Sequence, residues 1–276
     1  MKSRIDWPPI VQHAAEIVRS YSTSVTLRQL FYRLVSDGTL PNTGAAYKSL
    51  SKHTAEARRQ GTFPDLLDRG RSIHRYRTFE NPQEAGRYVA RIYRRDRTEG
   101  QEFNIYLGVE KNGMVEQLEG WFGDLGLPIL ALSGYSSQTY VDEVADDAAS
   151  DQRGAVLLYA GDFDPSGEDI DRDFVSRSDC FEEVIRVALT QQQVIDFDLP
   201  PQLGKAKDSR ASSFIARHGE LVQVELDALD PDDLQELYQE ALDEFWDPSA
   251  YEVALEREER DREVLRSIRM AEEGVE

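Results

Sequence analysis

Residues Ala155 to Ala160 form an unbroken apolar run that ends in Gly161-Asp162-Phe163-Asp164-Pro165-Ser166-Gly167. A run this short suits a strand covered on both faces, which occurs almost only in a parallel sheet flanked by helices. The neighbouring sequence has the matching rhythm. Phe103, Ile105, Leu107 and Val109 alternate as a strand, helical spacing follows from Met114 to Phe122, and a second strand is predicted over Pro128 to Leu132. A helix over Thr139 to Ala149, one starting at Gly167 and a strand over Val184 to Leu189 continue the βα alternation. The pattern predicts an α/β fold, a doubly wound parallel sheet, from residue 101 to about 230. Within it Thr190 and Gln193 cap a short helix, and Leu221 to Leu226 reads as one more strand. Asp230-Pro231 and Asp247-Pro248 open two acidic helices over residues 231–276, with fraying expected from Ala271 onward.

The first hundred residues follow a different pattern. Pro8 and Pro9 start a helix with Ile10, Ala14, Ile17 and Val18 inward. Thr26 and Gln29 form a capping box before Leu27, Leu30, Phe31, Leu34 and Val35, with Gly38 as the stop. A third helix runs from Pro41-Asn42 to Gly61, with Tyr47, Leu50, Thr54 and Ala57 inward and Lys48, Lys52 and Arg59 on a second stripe. Three short helices with a basic third one predict a helix-turn-helix or winged-helix unit over residues 1–79, in which Lys48, Lys52, Arg58 and Arg59 are candidate DNA contacts. Residues 80–100 are expected to form a basic connecting helix. Arg71, Arg75, Arg77, Arg87, Arg91, Arg94, Arg95 and Arg97 are interleaved there and just upstream with Tyr76, Tyr88 and Tyr93. That pattern suits phosphate neutralisation and stacking, with Arg75 and Arg77 as contacts, or a solvated arginine face.

Charge supports the division. Residues 1–100 carry 18 Lys and Arg against 10 Asp and Glu, and the remainder 14 against 42. The basic end can sit on a polyanion that the acidic end repels unless cations intervene. With Cys180 the only cysteine, an intrachain disulfide and a multi-cysteine metal site are excluded, and a reducing cytoplasm is expected. The first twenty residues lack the apolar core of a signal peptide, and no run is long enough for a membrane span.

Ligands of an open α/β sheet gather at the carboxyl ends of its strands. Two such ends carry acids: Glu110, followed by Lys111, after the first strand, and Asp162 and Asp164 after the third. Alternate residues of an extended chain point the same way, so three carboxylates would converge, and hard oxygen ligands of this kind suit magnesium (Mg2+) or manganese (Mn2+). An EF-hand reading of Asp162 to Asp173 conflicts with the strand-like run before it, with Pro165 and with Asp169 at a normally apolar position. Glu168, Asp169, Asp171 and Asp173 are accounted for by the positive end of a helix.

Glu110-Lys111 after a strand, the glycine turn Ser133-Gly134-Tyr135-Ser136-Ser137, then Asp162-x-Asp164-Pro165-x-Gly167 resemble the Toprim domain of the topoisomerase VI A subunit family and its meiotic relatives. Upstream, Arg28-Gln29-Leu30-Phe31-Tyr32 is similar to that family's motif in a CAP-like winged-helix domain, where the last tyrosine cleaves DNA. The resemblance spans about residues 20 to 190 and also touches Lys207-Asp208-Ser209-Arg210 and Glu225-Leu226-Asp227. It implies double-stranded DNA as substrate, Tyr32 as nucleophile, Arg28 on the scissile phosphate, metal on Glu110, Asp162 and Asp164, and a 5′-phosphotyrosine product. It also implies a homodimer in which Tyr32 of one protomer meets the acids of the other. Strand passage would require an ATPase B-type partner subunit, since the chain has no Gly-x-x-x-x-Gly-Lys loop. Other readings remain open at this level: a Toprim-type hydrolytic nuclease, or a non-catalytic DNA-binding module with Tyr32 packed in a helix. Lys111 would stabilise charge or pair with a carboxylate, Lys205, Lys207 and Arg210 would contact phosphate or form ion pairs, and Glu225 and Asp227 have no assigned role. The four histidines show no metal-like spacing.

Overall fold

A computed structural model describes residues 5–21, 25–67, 76–201 and 210–272, with side chains in the last stretch to residue 266. Arg71, His74, Arg75, Lys205, Lys207 and the last four residues lie outside the described residues.

Three helices come first: α1 (Trp7–Ser20), α2 (Leu27–Ser36) and α3 (Gly44–Arg59). Pro8 and Pro9 stand in the opening turn of α1, where a missing N–H costs nothing. The capping box of α2 is present, with Gln29 N donating to Thr26 Oγ1 at 3.2 Å and Thr26 N to Gln29 Oε1 at 2.8 Å. Gly38, at φ 75°, takes the left-handed conformation that ends the helix. Ala14, Val18, Leu30, Phe31, Leu34, Leu50 and Ala57 form the core of this lobe. α3 stops two residues before Gly61, and beyond the helices the lobe's only described pairing is a single parallel bridge, Thr26 to Leu67.

After α4 (Pro82–Ile92) come β1 (Phe103–Val109), a 3₁₀ turn over Asn112–Met114, α5 (Val115–Phe122), β2 (Ile129–Ala131), α6 (Gln138–Ser150), β3 (Gly154–Ala160), α7 (Gly167–Ser178) and β4 (Phe181–Ala188). The strands form one parallel sheet in the order β2-β1-β3-β4. Alternate β1 and β3 residues feed two cores. Ile105, Leu107, Val109, Val156 and Leu158 pack on one face with Leu118, Phe214 and Tyr238. Tyr106, Leu157 and Tyr159 pack on the other with Val141, Val144 and Phe174. Burial on both faces is why the β3 run is continuously apolar. The chain continues through α8 (Gln191–Asp196), α9 (Ala211–His218), α10 (Pro231–Asp243) and α11 (Pro248–Glu272). Among the described residues no helix is long and apolar enough to cross a membrane.

Two sequence expectations change. The segment expected as a strand over Leu221 to Leu226 makes only isolated bridge pairing, Val224 antiparallel to Phe163 among the described residues, followed by a 3₁₀ turn over Leu226–Ala228. The ladder cannot continue because the Leu226 N–H is taken by the Asp162 carboxylate at 2.7 Å. The connecting helix expected over residues 80–100 ends at Ile92, because the arginines that follow are bound by acids elsewhere in the chain. Arg94 pairs with Asp124 at 3.0 Å and Arg95 with Asp261 at 2.9 Å. Arg97 makes a two-pronged pair with the buried Glu258 of α11, Nη2 to Oε1 at 2.7 Å and Nε to Oε2 at 3.0 Å. Glu258 also accepts the Arg95 N–H and pairs with Arg262. Arg95 and Arg97 thus tie α11 to the segment between α4 and β1, and Arg94 ties that segment to the loop after α5.

Removing one partner of a buried ion pair strands the other charge. Glu258→Ala is therefore expected to lower stability by about 3 kcal/mol in urea denaturation, and Arg97→Met combined with Glu258→Leu to recover most of that loss. An unchanged midpoint for Glu258→Ala would show that α11 is held by other contacts.

Candidate active site between the helical lobe and the sheet

β1 and β3 are neighbours, with Val109 opposite Ala160 as their last pair. β2 lies beyond β1 on one side and β4 beyond β3 on the other, so the winding direction reverses between these two strands. The crevice past their carboxyl ends is the ligand position of such a sheet. Glu110 and Asp162 both enter it. Glu110 extends the pairing by donating its N–H to Ala160 O at 2.9 Å, and its Oε2 accepts the Asp162 N–H at 2.8 Å. Arg186 of β4 holds the same loop from below, donating to Asp162 O at 2.8 Å and Leu189 O at 3.0 Å and pairing with Asp171. Gly167 must be glycine, since a Cβ there would lie 2.4 Å from Asp162 O and 3.2 Å from Glu110 Oε2.

Asp164 has another task. Its Oδ1 accepts the Gly167 N–H at 2.6 Å, satisfying an amide at the start of α7 as a cap does. Its charge still bears on Glu110. The structure thus brings together a pair of carboxylates with a third charge nearby. Among the described residues no group of three or more His, Cys, Asp or Glu side chains could hold a metal ion. Glu110 is pushed up to about 7 by burial and by the like charge of Asp162. Burial also raises Asp162, against the opposing pull of Lys111.

Lys111 is the internal counter-ion. Its Nζ lies 2.6 Å from Asp227, 3.0 Å from Asp162 and 3.1 Å from Glu225. Burial disfavours its charge, but Asp227, Asp162 and Glu225 outweigh burial and hold the ammonium above the usual lysine range. Pairing with carboxylates is therefore the role its surroundings give it. The Glu225-Leu226-Asp227 motif has a task as well: Asp227, 1% exposed, and Glu225 anchor Lys111, while the amide between them binds Asp162.

The network reaches the helical lobe through Arg28 of α2, whose Nη2 lies 2.5 Å from Glu225 Oε1 and whose Nε lies 4.0 Å from Asp227. Gln29 beside it bonds Gln117 of α5 at 2.9 Å, and Tyr21 bonds Asp230 at 2.9 Å. Arg28 stands between two clefts. One, of about 580 Å³, is lined by Arg28, Glu110, Lys111, Asn112, Gly113 and Ser133. The other, of about 570 Å³, is lined by Arg28, Phe31, Tyr32, Thr43 and Tyr47. Tyr32, one turn from Arg28 on α2, hydrogen-bonds to its guanidinium and is only 3% exposed.

Of the expected DNA contacts, Lys48 and Lys52 are exposed along α3, and Arg58 is half-buried with an Nε that has no hydrogen-bond partner among the described residues. Arg59 is exposed and pairs with Glu56 at 2.7 Å, and Arg77 lies 4.2 Å over the Tyr88 ring. His53 stacks on Trp7, His13 bonds Asp37 and His218 bonds Glu168. Sequence reasoning missed Arg186, whose signal was a lone arginine in the apolar stretch Val184 to Ala188. It also missed Gln117 and Tyr159, the latter with a fully buried hydroxyl that lacks a partner among the described residues; neither carried a distinguishing pattern.

No family model matches the chain, and no curated protein matches it.

Because Glu110 is raised from an ordinary 4.5 to about 7, the folded protein holds a proton that the unfolded chain releases. That contribution to stability is complete below pH 4.5 and is lost as pH rises through about 7. Thermal melts in chelator are expected to show the wild type falling progressively below Glu110→Gln across this window. A gap that does not vary with pH would contradict the raised value.

Proposed function

We propose that the protein is a divalent-metal-dependent DNA-cleaving enzyme resembling the topoisomerase VI A subunit, with a winged-helix lobe and a Toprim sheet. One observation carries the reading: Glu110 and Asp162 meet at the switch point of a sheet in the order β2-β1-β3-β4, and Arg28, one turn from Tyr32, is held at the same crevice.

The donor set fits a hydrated hard cation. Magnesium is commonly held by one or two carboxylates together with water and phosphate oxygens, so Glu110 and Asp162 suffice without a closed three-carboxylate cage. A cation bound there would neutralise charge developing on the phosphate and on the departing 3′ oxygen. The remaining work falls to the chain. Arg28 presents a planar fork that suits phosphate oxygens and is always charged. Lys111 and the Leu226 amide fix the rotamer of Asp162, and Arg186 fixes the backbone that carries it. In the cleavage step the Tyr32 phenol oxygen forms a bond to phosphorus while the bond from phosphorus to the 3′ oxygen breaks. The phenol proton is lost and the 3′ oxygen gains one, leaving a 5′-phosphotyrosine link and a 3′ hydroxyl. In this reading Tyr32 of one protomer attacks a phosphate held beside the acids of the other, so that a homodimer cuts both strands.

A second reading draws on the burial of Tyr32 at 3% exposure. A nucleophile so covered must emerge before it reacts, whereas a water attacking beside Glu110 and Asp162 has no such requirement. The product is then a free 5′ phosphate.

Supercoiled plasmid incubated with magnesium or manganese, stopped with detergent and run with and without protease, separates the two. Linear DNA that enters the gel only after protease, and that disappears in Tyr32→Phe and Asp162→Ala, is expected. Cutting that survives Tyr32→Phe but not Asp162→Ala selects hydrolysis. Intact plasmid with every metal, despite binding, would leave a DNA-binding module.

A further inference from the structure

The two oxygens of Glu225 are held by two cations from different parts of the fold. Oε1 lies 2.5 Å from Arg28 of α2, and Oε2 lies 3.1 Å from Lys111 after β1. A carboxylate bridging a guanidinium and an ammonium in this way has the charge and forked geometry of the two unesterified oxygens of a phosphodiester. Both cations line the crevice that also contains Glu110. We infer that the space between Arg28 and Lys111 is a phosphate seat, occupied in the DNA-free protein by the side chain of Glu225. The inference rests on the DNA-cleavage reading for the identity of the ligand, and it locates the phosphate on that reading.

Four observations favour a displaceable occupant over a fixed structural pair. Lys111 does not depend on Glu225, since Asp227 at 2.6 Å and Asp162 at 3.0 Å still neutralise it. Arg28 does depend on it, because its other carboxylate, Asp227, is 4.0 Å away. The Arg28 side chain is 46% exposed, so its pair with Glu225 is screened and contributes little to holding the lobes together. Exchanging Glu225 for a phosphate therefore preserves the charge balance and frees one partly exposed side chain. Glu225 itself lies between the Val224 bridge and the 3₁₀ turn, outside any helix or strand. By holding Arg28 until DNA arrives, it acts as a positioning residue and keeps smaller anions out of the seat.

The test uses the full chain in chelator, so that metal and cleavage play no part. Binding of a labelled DNA duplex is followed by fluorescence anisotropy across a salt series, and binding of inorganic sulfate by thermal shift. Glu225→Gln is expected to bind the duplex about fivefold more tightly at low salt, with a slope of log affinity against log salt steeper by about one. It should also gain a sulfate-dependent rise in melting temperature that the wild type lacks. In an Arg28→Ala background Glu225→Gln should produce neither change. Glu225→Asp, which keeps the charge on a shorter arm, should fall between the two and serves as a second variant if the glutamine variant is poorly folded. Equal or weaker duplex binding by Glu225→Gln, or a gain that persists without Arg28, would overturn the phosphate seat. A sulfate response without duplex binding by any variant would retain the anion seat and reject DNA as the ligand.

Discussion

Two carboxylates at the ends of adjacent parallel strands are a liability that the surrounding structure is built to contain. β1 and β3 lie side by side in register to Val109 and Ala160, so Glu110 and Asp162 emerge beside one another whatever follows. Buried like charges cannot both ionise without a counter-charge. Lys111 supplies one, but a buried ammonium is as costly as a buried carboxylate, and it recruits Asp227 and Glu225 from a distant part of the chain. Glu225 in turn faces Arg28 on the helical lobe. The alternation of charge from Glu110 to Arg28 thus links the sheet, the segment after α9 and the N-terminal helices into one crevice.

The backbone around the acids is equally constrained. The Asp162 carboxylate takes the amide of Leu226, the Glu110 carboxylate takes the amide of Asp162, and Asp164 takes that of Gly167. Each acid therefore satisfies a main-chain donor that the end of a strand or helix would otherwise leave open. The same bonds fix the acids in place before any ligand arrives, as a preorganised site requires. Close packing of α7 onto this loop is possible only because residue 167 has no side chain.

The basic first hundred residues divide into two groups once the chain is folded. Lys48 and Lys52 remain exposed on α3, and Arg77 remains exposed beside Tyr88. Arg94, Arg95 and Arg97 pair with acids of α11 and of the loop after α5, Arg97 from a buried position. Part of the charge asymmetry along the chain is thus an internal attraction between its ends, and only the remainder is available to a polyanion.

Local order was legible in the residues. The capping boxes at Thr26 and Thr190, the stop at Gly38, the prolines that open α1, α4, α10 and α11, and the strand rhythm of residues 103–109 and 154–160 all report on interactions within a few positions of themselves. The acids at 110 and 162 were legible for the same reason, since each directly follows a strand that its own sequence specifies. Tertiary structure decided the rest. No spacing shows that Asp164 will cap α7 while Glu110 and Asp162 pair, that Lys111 will be shared among three carboxylates, or that Glu225 will meet Arg28 across 197 positions. Those outcomes depend on which groups a fold brings within about 3 Å of each other. Sequence periodicity reports which face of an element is buried, but not which partner it will find there.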